Sequence, residues 1–441
     1  MKLYFVTLGC DKNLVDAEHM LGALAAKGYE FTQEPEEAEV IVVNTCCFIN
    51  DAKEESVNTI LEMAEYKKDG SCKALIVSGC LAQRYQQEIQ DEIEEVDAIL
   101  GTNSIDDIEE AIIKALQGEH VLDMKSMEGL PNITAKRYVT TGGHFAHLKI
   151  AEGCDKHCTY CVIPKVRGKY RSVPMENLIA QAEHLVENGA KELILVAQET
   201  TLYGKDLYGK KSLPELLEKL SEIEELKWIR ILYCYPEEIT DELIDTIKRL
   251  PKVCNYLDIP IQHGTDKILK KMGRWTDKAE IVSIVEKLRA GIPDIALRTT
   301  LITGFPGETE EDFEELKEFV KQLRFDRLGV FTYSQEEDTP AAQMEEQVPE
   351  EVKEARRDEI MQLQQEIAFE KSASRVGEDM DVMVEGYLPD DGVYICRTYM
   401  DAPDVDGYVF VSTDWNLMSG DFIKVEIVGS DQYDLIGEVV E

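Results

Sequence analysis

The sequence predicts an α/β protein with three parts: an N-terminal open parallel sheet, a central partial (β/α)6 barrel and a small antiparallel β barrel at the end. The first supporting observation is an alternation of apolar β-rich runs with helical patterns over residues 1–117, which is typical of βαβ units. The second is a longer alternation of the same kind over residues 140–340. The third is a series of short β-type runs from residue 375 onwards.

The N-terminal alternation has clear elements. KLYFVTLGC predicts a first strand, and NLVDAEHMLGALAAKG predicts an amphipathic helix that ends at a glycine. AEVIVVNTCC and KALIVSGC predict two further strands on either side of the helical pattern SVNTILEMAEYKK. Residues 118–139 lack periodicity and are interpreted as a linker.

The central part contains candidate strands that alternate with helical patterns. They are FAHLKIAEGC, ELILVAQET, WIRILYCYP, YLDIPIQHG, IALRTTLITGFPGE and RLGVFTYSQ. Six such units fall short of the eight in a complete barrel, so a partial barrel over 140–372 is expected. Residues 350–373 predict a long polar helix that leads to the last domain, 375–441, where five short runs separated by Gly and Asp turns predict a small barrel.

The charge is strongly acidic. There are 47 Lys and Arg against 87 Asp and Glu, a formal net charge of −40. Proteins that bind nucleic acid usually carry a basic face, so we do not expect nucleic acid as the direct substrate. Acidity suits a basic protein partner, although it could equally serve only solubility.

Other features of the sequence set the expected location. No apolar run approaches the roughly 18 residues of a membrane-spanning helix, and the start is typical of a strand and not of a signal peptide. We therefore expect a cytoplasmic protein without a membrane partner. Nothing in the sequence indicates assembly, so we expect a monomer.

The stretch EGCDKHCTYCVIP places Cys154, Cys158 and Cys161 in one loop at C-x3-C-x2-C spacing. A structural zinc site usually has four ligands, and ferredoxins have C-x2-C-x2-C with a distant fourth cysteine. A third interpretation is an iron–sulfur cubane with one iron left open for a substrate or cofactor. Because barrel active sites gather at the carboxyl ends of strands, a reactive group at this loop is physically sensible.

Three further cysteines each follow a predicted strand. Cys10, Cys46 and Cys80 end the three N-terminal β runs, 36 and 34 residues apart. Since ligands bind at the carboxyl ends of parallel strands, the three thiols could converge and hold a second cluster. Buried structural cysteines are the alternative. Spacing cannot decide whether Cys46 or its neighbour Cys47 is the ligand.

The cysteine loop strongly resembles that of the radical S-adenosylmethionine enzymes. The whole chain resembles the methylthiotransferase family within that superfamily, through TLGC, NTCCFI, SGC, EGCDKHCTYCVIP, VAQETTLYG, YLDIPIQHG, TLITGFPGET and FTYSQEEDTPA. The resemblance implies an N-terminal cluster domain, a radical core and a C-terminal TRAM domain. It also implies two [4Fe-4S] clusters, S-adenosylmethionine as cofactor, an external electron donor, and Cys46 as the ligand.

The resemblance further implies the reaction. Family members insert a methylthio group at an unactivated C–H bond, with one S-adenosylmethionine as methyl donor and a second as source of a 5′-deoxyadenosyl radical. One branch modifies an adenosine of tRNA, and the other modifies the β-carbon of an aspartate on small-subunit ribosomal protein twelve, which is very basic. Residues 376–441 contain 16 acidic against two basic residues, a net charge of −14, which favours the ribosomal-protein branch.

Supporting residues follow from the same resemblance. Asp401, Asp404 and Asp406 share one loop and are predicted to contact the basic substrate, with a solvated turn as the alternative. Predicted contacts to S-adenosylmethionine come from strand ends and from the cysteine loop: Tyr160, Gln198, Glu199, Arg298 and Gly304. Many family members have Asp in place of Glu199. A two-cluster electron carrier and a structural zinc protein are the competing classes.

Overall fold

The computed structural model describes residues 1–132 and 137–440, which form two compact units. The first unit comprises Met1–Thr140, Ala151–Val173 and Ser334–Ala342. The second comprises Thr141–Ile150, Pro174–Tyr333 and Gln343–Glu441. The units interleave along the chain, whereas the sequence predicts consecutive domains. Among the described residues, no helix is both long and apolar enough to cross a membrane.

The first unit is built on a parallel sheet, as predicted. Its strands are β1 (Lys2–Thr7), β2 (Glu30–Phe31), β3 (Val40–Thr45), β4 (Ala74–Gly79), β5 (Ala98–Leu100) and β6 (Val121–Asp123). Their order is β2-β1-β3-β4-β5-β6. Strand β6 corrects the prediction of a linker over 118–139, because three residues are too few to show a period in the sequence. Residues 133–136 of that interval lie outside the described part of the chain.

Helices cover both faces of this sheet. They are α1 (Asp11–Ala26), α2 (Asn50–Asp69), α3 (Cys80–Arg84), α4 (Gln86–Glu92) and α5 (Ile108–Leu116). Along β3, Ile41 and Val43 belong to one hydrophobic cluster while Val40 and Val42 belong to another, since side chains alternate across a strand. A strand that is buried on both faces is apolar throughout, which explains the continuous run in the sequence.

The chain leaves the first unit for β7 (Phe145–Lys149) and then returns to it. Strand β8 (Ala151–Glu152) pairs antiparallel with β9 (Arg171–Ser172), and the short helix α6 (Ile163–Val166) lies between them in sequence. The loop with Cys154, Cys158 and Cys161 therefore belongs to the same compact unit as the N-terminal sheet.

The second unit contains a second parallel sheet. It combines β7 with β10 (Glu192–Val196), β11 (Trp228–Ile231), β12 (Val253–Asp258), β13 (Ala296–Thr303) and β14 (Arg327–Thr332). The order is β14-β13-β12-β11-β10-β7, so strands follow the chain from one edge to the other. Among the described residues no pairing joins β7 to β14, and the predicted partial (β/α)6 barrel is confirmed.

Helices connect these strands and lead to the last domain. They are α7 (Met175–Glu187), α8 (Lys205–Tyr208), α9 (Leu213–Ser221), α10 (Asp241–Arg249), α11 (Asp266–Lys271), α12 (Lys278–Gly291), α13 (Glu310–Leu323) and α14 (Glu350–Ala373). Capping boxes begin α12 at Asp277 and α13 at Thr309, where each side chain accepts from a free amide of the first turn. Helix α14 coincides with the predicted long helix.

The C-terminal strands form a closed barrel, as predicted. They are β15 (Asp379–Leu388), β16 (Val393–Arg397), β17 (Val409–Ser412), β18 (Phe422–Asp431) and β19 (Asp434–Val439), in the order β15-β16-β17-β19-β18. The pairings are antiparallel except for β17 with β19, which is parallel and corrects the expectation of a purely antiparallel barrel. The barrel shares a hydrophobic core with Phe145, Trp228 and Ala296, the first residues of three central strands. It therefore covers the amino ends of those strands.

Candidate functional site

The predicted cysteines of the first unit follow neighbouring strands at the same level. The register pairs Thr7 with Asn44 and Asn44 with Ser78, so β1, β3 and β4 end side by side. Cys10 precedes the first residue of α1, Cys46 follows β3 directly, and Cys80 begins α3. A helix N-terminus favours negative charge, which suits a thiolate ligand.

Contacts among these residues show that the three sites converge. A Cβ added to Gly9, the residue before Cys10, would lie 2.7 Å from Cys46 Cβ and 2.8 Å from its Sγ. Burial is the main cause of the raised pKa of Cys80, and the nearby Cys10 and Cys46 thiols add to it. The convergence that strand-end position predicted is therefore present in the first unit.

The backbone turns Cys46 and Cys47 in different directions. Cys46 lies beside Gly9 and its thiol interacts with that of Cys10, whereas Cys47 is fully buried beside Arg84, in the hydrophobic cluster that also contains Cys80. The sequence left the choice between the two cysteines open. The geometry favours Cys46 as the ligand, in agreement with the family resemblance.

A buried asparagine that sequence reasoning missed ties these strand ends together. The Asn13 amide nitrogen donates to Leu8 O at 3.0 Å and to Thr45 O at 2.8 Å. Its backbone carbonyl accepts from Asn44 Nδ2 at 2.8 Å. The Asn13 side chain therefore joins the segment after β1 to the end of β3, and so fixes Cys10 relative to Cys46.

An arginine that sequence reasoning also missed lies against Cys80. Arg167 Nε donates to Cys80 Sγ at 3.3 Å, and its Nη1 pairs with Asp16 at 2.5 Å and Glu152 at 3.2 Å. The Nη2 donates to Asn13 Oδ1. Arg167 follows the cysteine loop in sequence, but it is 87 residues from Cys80, and no pattern along the chain indicates this contact.

The cysteine loop directs backbone amides at its own sulfurs. Cys154 Sγ accepts from Lys156 N and Cys161 Sγ accepts from Ile163 N, both at 3.4 Å. Cys154 and Cys158 are buried and Cys161 is partly exposed. Amide donors at cysteine sulfurs are typical of iron–sulfur sites, where they stabilise the thiolate and tune the cluster.

Both sets of cysteines offer three thiolates each. Within the described residues, no three His, Cys, Asp or Glu side chains are close enough to hold one metal ion. A cubane needs a wider spacing, because each cysteine sulfur bonds a different iron. Soft thiolate ligands favour iron–sulfur chemistry.

The buried environment of Cys80 favours its protonated thiol. Burial raises the pKa of the Cys80 thiol to about 12, and the Arg167 guanidinium opposes that rise. A thiol with such a pKa is protonated at neutral pH. Iron binding would therefore displace a proton here, as metal binding to cysteine generally does.

The predicted cofactor contacts of the second unit lie near strand ends. Gln198 and Glu199 follow β10; Gln198 is partly exposed, and Glu199 is buried and accepts from Thr201 N at 3.0 Å. Gly304 follows β13 with φ +71°, and its N–H donates to Glu308 Oε2 at 3.0 Å. In the first unit, Tyr160 is partly buried.

Arg298 has carboxylate neighbours of its own. Its Nη1 lies 3.7 Å from Asp258 Oδ1, and its Nε lies 3.6 Å from Asp406 Oδ1. Those carboxylates already balance the guanidinium charge. The pairing of Arg298 with a cofactor carboxylate stays a prediction, in which the cofactor would compete with Asp258 and Asp406.

The acidic loop of the last domain also differs from the expectation. Asp401 is buried and pairs with Arg327 at 2.5 Å, while Asp406 accepts from Tyr256 Oη at 2.8 Å and from Ala402 N. Both carboxylates are used within the chain, so they are not available to a basic substrate. Only Asp404 of the three predicted aspartates is exposed.

Comparison with protein families gives three matches in chain order. Residues 2–101 match "Uncharacterized protein family UPF0004", residues 148–320 match the radical SAM superfamily, and residues 376–440 match the TRAM domain. The fold and the cysteine loop thus define a radical S-adenosylmethionine enzyme. Membership of that superfamily implies a [4Fe-4S] cluster and S-adenosylmethionine.

Relatives that match over their full length identify the family within the radical S-adenosylmethionine superfamily. The protein of Lachnoclostridium phytofermentans named ribosomal protein uS12 methylthiotransferase RimO is 63% identical over 437 residues, 99% of each chain. The protein of the same name from Clostridioides difficile is 49% identical over 440 residues, 100% of this chain and 99% of its own. The chain belongs to this family of radical S-adenosylmethionine methylthiotransferases.

Solved structures support the fold. The radical S-adenosylmethionine methyltransferase TsrM from Kitasatospora setae superimposes with a TM-score of 0.55 at 14% identity, over 77% of this chain and 76% of its own. The cobalamin-dependent S-adenosylmethionine radical enzyme OxsB gives a TM-score of 0.52 over 77% and 54%. At this identity the likeness concerns the fold alone.

Proposed function

We propose that this protein transfers a methylthio group to the β-carbon of an aspartate of ribosomal protein uS12. One observation carries the proposal: the identity of 63% over 99% of both chains with a relative named for that activity. An enzyme with a ribosomal protein as its substrate would act in the cytoplasm and would need an external electron donor.

The target bond explains why such an enzyme needs its cofactors. A β-carbon hydrogen has no useful acidity, so side-chain general bases cannot remove it, and cofactor chemistry is required. When bound, two [4Fe-4S] clusters and two molecules of S-adenosylmethionine would supply the sulfur, the methyl group and the hydrogen-abstracting radical.

The chain's own residues would hold and orient these groups. We assign one cluster to Cys154, Cys158 and Cys161; backbone amides of the loop donate to the sulfurs of Cys154 and Cys161. This set leaves a fourth position open for a ligand other than protein.

The second cluster is assigned to the strand-end cysteines of the first unit, Cys10, Cys46 and Cys80. Asn13 would keep them in register through its bonds to Leu8 and Thr45. Gln198, Glu199, Gly304 and Tyr160 stay proposed contacts to S-adenosylmethionine.

The charge of the last domain supports a protein substrate over tRNA. Residues 376–441 carry a net charge of −14, from 16 acidic and two basic residues. The two basic residues are also paired: Arg397 with Glu192 and Glu385, and Lys424 with Asp379. A domain of this kind would repel phosphate and attract a basic protein.

Mass spectrometry of ribosomal proteins and of tRNA tests the proposal. The gene would be expressed in a bacterial host that lacks its own uS12-modifying enzyme, and uS12 and total tRNA would be isolated. We expect a methylthio mass increment on one aspartate of uS12 and an unchanged tRNA pattern.

A matched strain carrying Cys154→Ala provides the control, and it should show neither modification. A methylthio increment on tRNA adenosine, with uS12 unmodified, would overturn the proposal in favour of the other branch of the family.

A further inference from the structure

Arg167 is the group that connects the two sets of cysteines within the first unit. Its backbone N–H donates to Ile163 O at 2.8 Å, so it closes the helix α6 that follows Cys161. Its side chain pairs with Glu152, two residues before Cys154, and donates to Cys80 Sγ at 3.3 Å. One residue thus contacts both flanks of the cysteine loop and a predicted ligand of the other set.

The orientation of the guanidinium is fixed on every side. Its Nη1 donates to Asp16 and Glu152, and its Nη2 donates to Asn13. Its Nε donates to Cys80 Sγ. The side chains of Arg167, Asp16 and Glu152 are 2%, 2% and 4% exposed. Because a planar guanidinium has its donors in a rigid fork, these partners determine where Nε points.

We propose that Arg167 is a positioning residue that sets the reduction potential of the cluster held by Cys10, Cys46 and Cys80, through its Nε–H···Sγ hydrogen bond and its positive charge. The inference rests on the proposed function for the presence of that cluster. It goes beyond the proposed function because it assigns control of this cluster's potential to Arg167, which follows the loop that contains the other three cysteines.

The sign of the effect follows from electrostatics. Reduction adds negative charge to a cluster, and a hydrogen bond or cation at a ligand sulfur stabilises the reduced form and raises the potential. The low dielectric of a buried site strengthens this interaction. Asp16 lies beside the same guanidinium and offsets part of its charge, so removal of the Asp16 charge should raise the potential further.

A purely structural ion pair is the competing explanation. Burial of Arg167 with Asp16 and Glu152 would by itself demand that the charges be paired. In that case substitutions would reduce stability or iron content, but clusters that still form would keep their potential. A reduction potential that falls when the Arg167 charge is removed and rises when the Asp16 charge is removed would distinguish the two explanations.

Redox titration of the isolated cluster, followed by electron paramagnetic resonance, tests the proposal. The full-length chain with Cys154→Ala, Cys158→Ala and Cys161→Ala retains only the cluster of interest, and iron content is measured on every preparation. Arg167→Gln, Arg167→Lys and Asp16→Asn are introduced on this background. The matched control is Arg137→Gln, because Arg137 is another buried arginine and pairs with Glu18 of the same helix α1 through Nε at 2.6 Å.

We expect Arg167→Gln to make reduction at least tenfold less favourable, which is a shift of about 59 mV to lower potential for one electron. Arg167→Lys should shift the potential less, Asp16→Asn should shift it upward, and Arg137→Gln should shift it less than Arg167→Gln, because Arg137 acts on Asp16 whereas Arg167 donates directly to Cys80 Sγ. Shifts of the same sign for Arg167→Gln and Asp16→Asn, or no shift in either, would overturn the proposal. Should Arg167→Gln not load iron, Asp16→Asn and Arg167→Lys still decide the sign.

A failure of the cluster assignment would look different. If the background variant with all three loop cysteines replaced binds no iron, the first unit does not hold a cluster at Cys10, Cys46 and Cys80. The proposed function would then be at fault, and not the role of Arg167.

Discussion

Glu192 and Arg397 form an ion pair from which solvent is excluded: the carboxylate and guanidinium lie 2.5 Å apart, and both side chains are 0% exposed. Glu192 begins a strand of the central sheet and Arg397 ends a strand of the C-terminal barrel. Arg230 joins the same carboxylate at 2.7 Å. Burial raises the pKa of Glu192, but the two arginines outweigh burial and lower that pKa to about 2.

This arrangement predicts a large effect when one partner is removed. Glu192→Gln should remove the carboxylate that Arg230 and Arg397 share, so that the buried charge of Arg230 loses its partner and Arg397 keeps only Glu385, at a cost of about 3–5 kcal/mol. The measurement is thermal unfolding followed by calorimetry. Lys424→Gln is the control, since its pair with Asp379 is half exposed and should contribute less than about 1 kcal/mol. Equal melting temperatures for the two variants would contradict the prediction.

A second prediction concerns pH. His144 Nε2 lies 2.6 Å from Glu385 Oε2. Burial lowers the pKa of His144, but the hydrogen bond and charge of Glu385 outweigh burial, so that the pKa is raised overall. A folded pKa above the ordinary value of about 6.5 means that the stabilisation is complete below that pH and is lost as pH rises through the raised pKa. The melting temperatures of the native protein and His144→Gln should differ most near pH 6 and converge in the alkaline range. A gap that widens with rising pH would refute the assignment.

Iron content should separate Cys46 from Cys47. Cys46→Ser should lose about half of the iron of the reconstituted protein, because one of two clusters loses a ligand. Cys47→Ser should retain all of it, since the Cys47 thiol is buried beside Arg84, whereas Cys46 lies beside Gly9 and Cys10. Inductively coupled plasma analysis of both variants gives the answer, and the reverse result would mean that the ligand had been misassigned.

The acidic loop offers a matched pair of substitutions. Asp401→Asn should destabilise the protein by about 2 kcal/mol, because it weakens charged hydrogen bonds to Arg327 and Thr398. Asp404→Asn should change stability by less than about 0.5 kcal/mol, since Asp404 is exposed and Asn accepts its positive φ of +66°. Thermal unfolding of both variants checks this, and a larger loss for Asp404→Asn would contradict it.

Gly79 should be indispensable for the position of Cys80. It has φ +92° and ψ −158°, a conformation that is essentially restricted to glycine, and a Cβ would lie 2.5 Å from Asn44 Oδ1 and Thr45 O. Gly79→Ala should therefore lower iron content as well as stability. Gly118→Ala, at φ +82° with open space around it, should cost about 1 kcal/mol of strain and leave iron content unchanged. Loss of iron in both variants would mean that general destabilisation, and not the position of Cys80, is responsible.

The sequence alone determined the two parallel sheets and the closed C-terminal barrel, because strands and helices follow from periodicities that neighbouring residues carry. It also predicted that Cys10, Cys46 and Cys80 would meet, since the carboxyl ends of parallel strands lie at one edge of a sheet. The short strand Val121–Asp123 and the parallel pairing of the last barrel strand escaped prediction. Both depend on partners that are distant along the chain.

Tertiary structure decided which polar groups face one another. The direction of Cys46 and Cys47, the contact of Arg167 with Cys80 and the use of Asp401 and Asp406 by arginines of the same chain all depend on packing. Aspartates in a loop look alike in sequence whether they face solvent or a buried guanidinium. The spacing of residues along the chain sets which elements form, but only their packing fixes which charges are paired, because ion pairs join residues from separate elements.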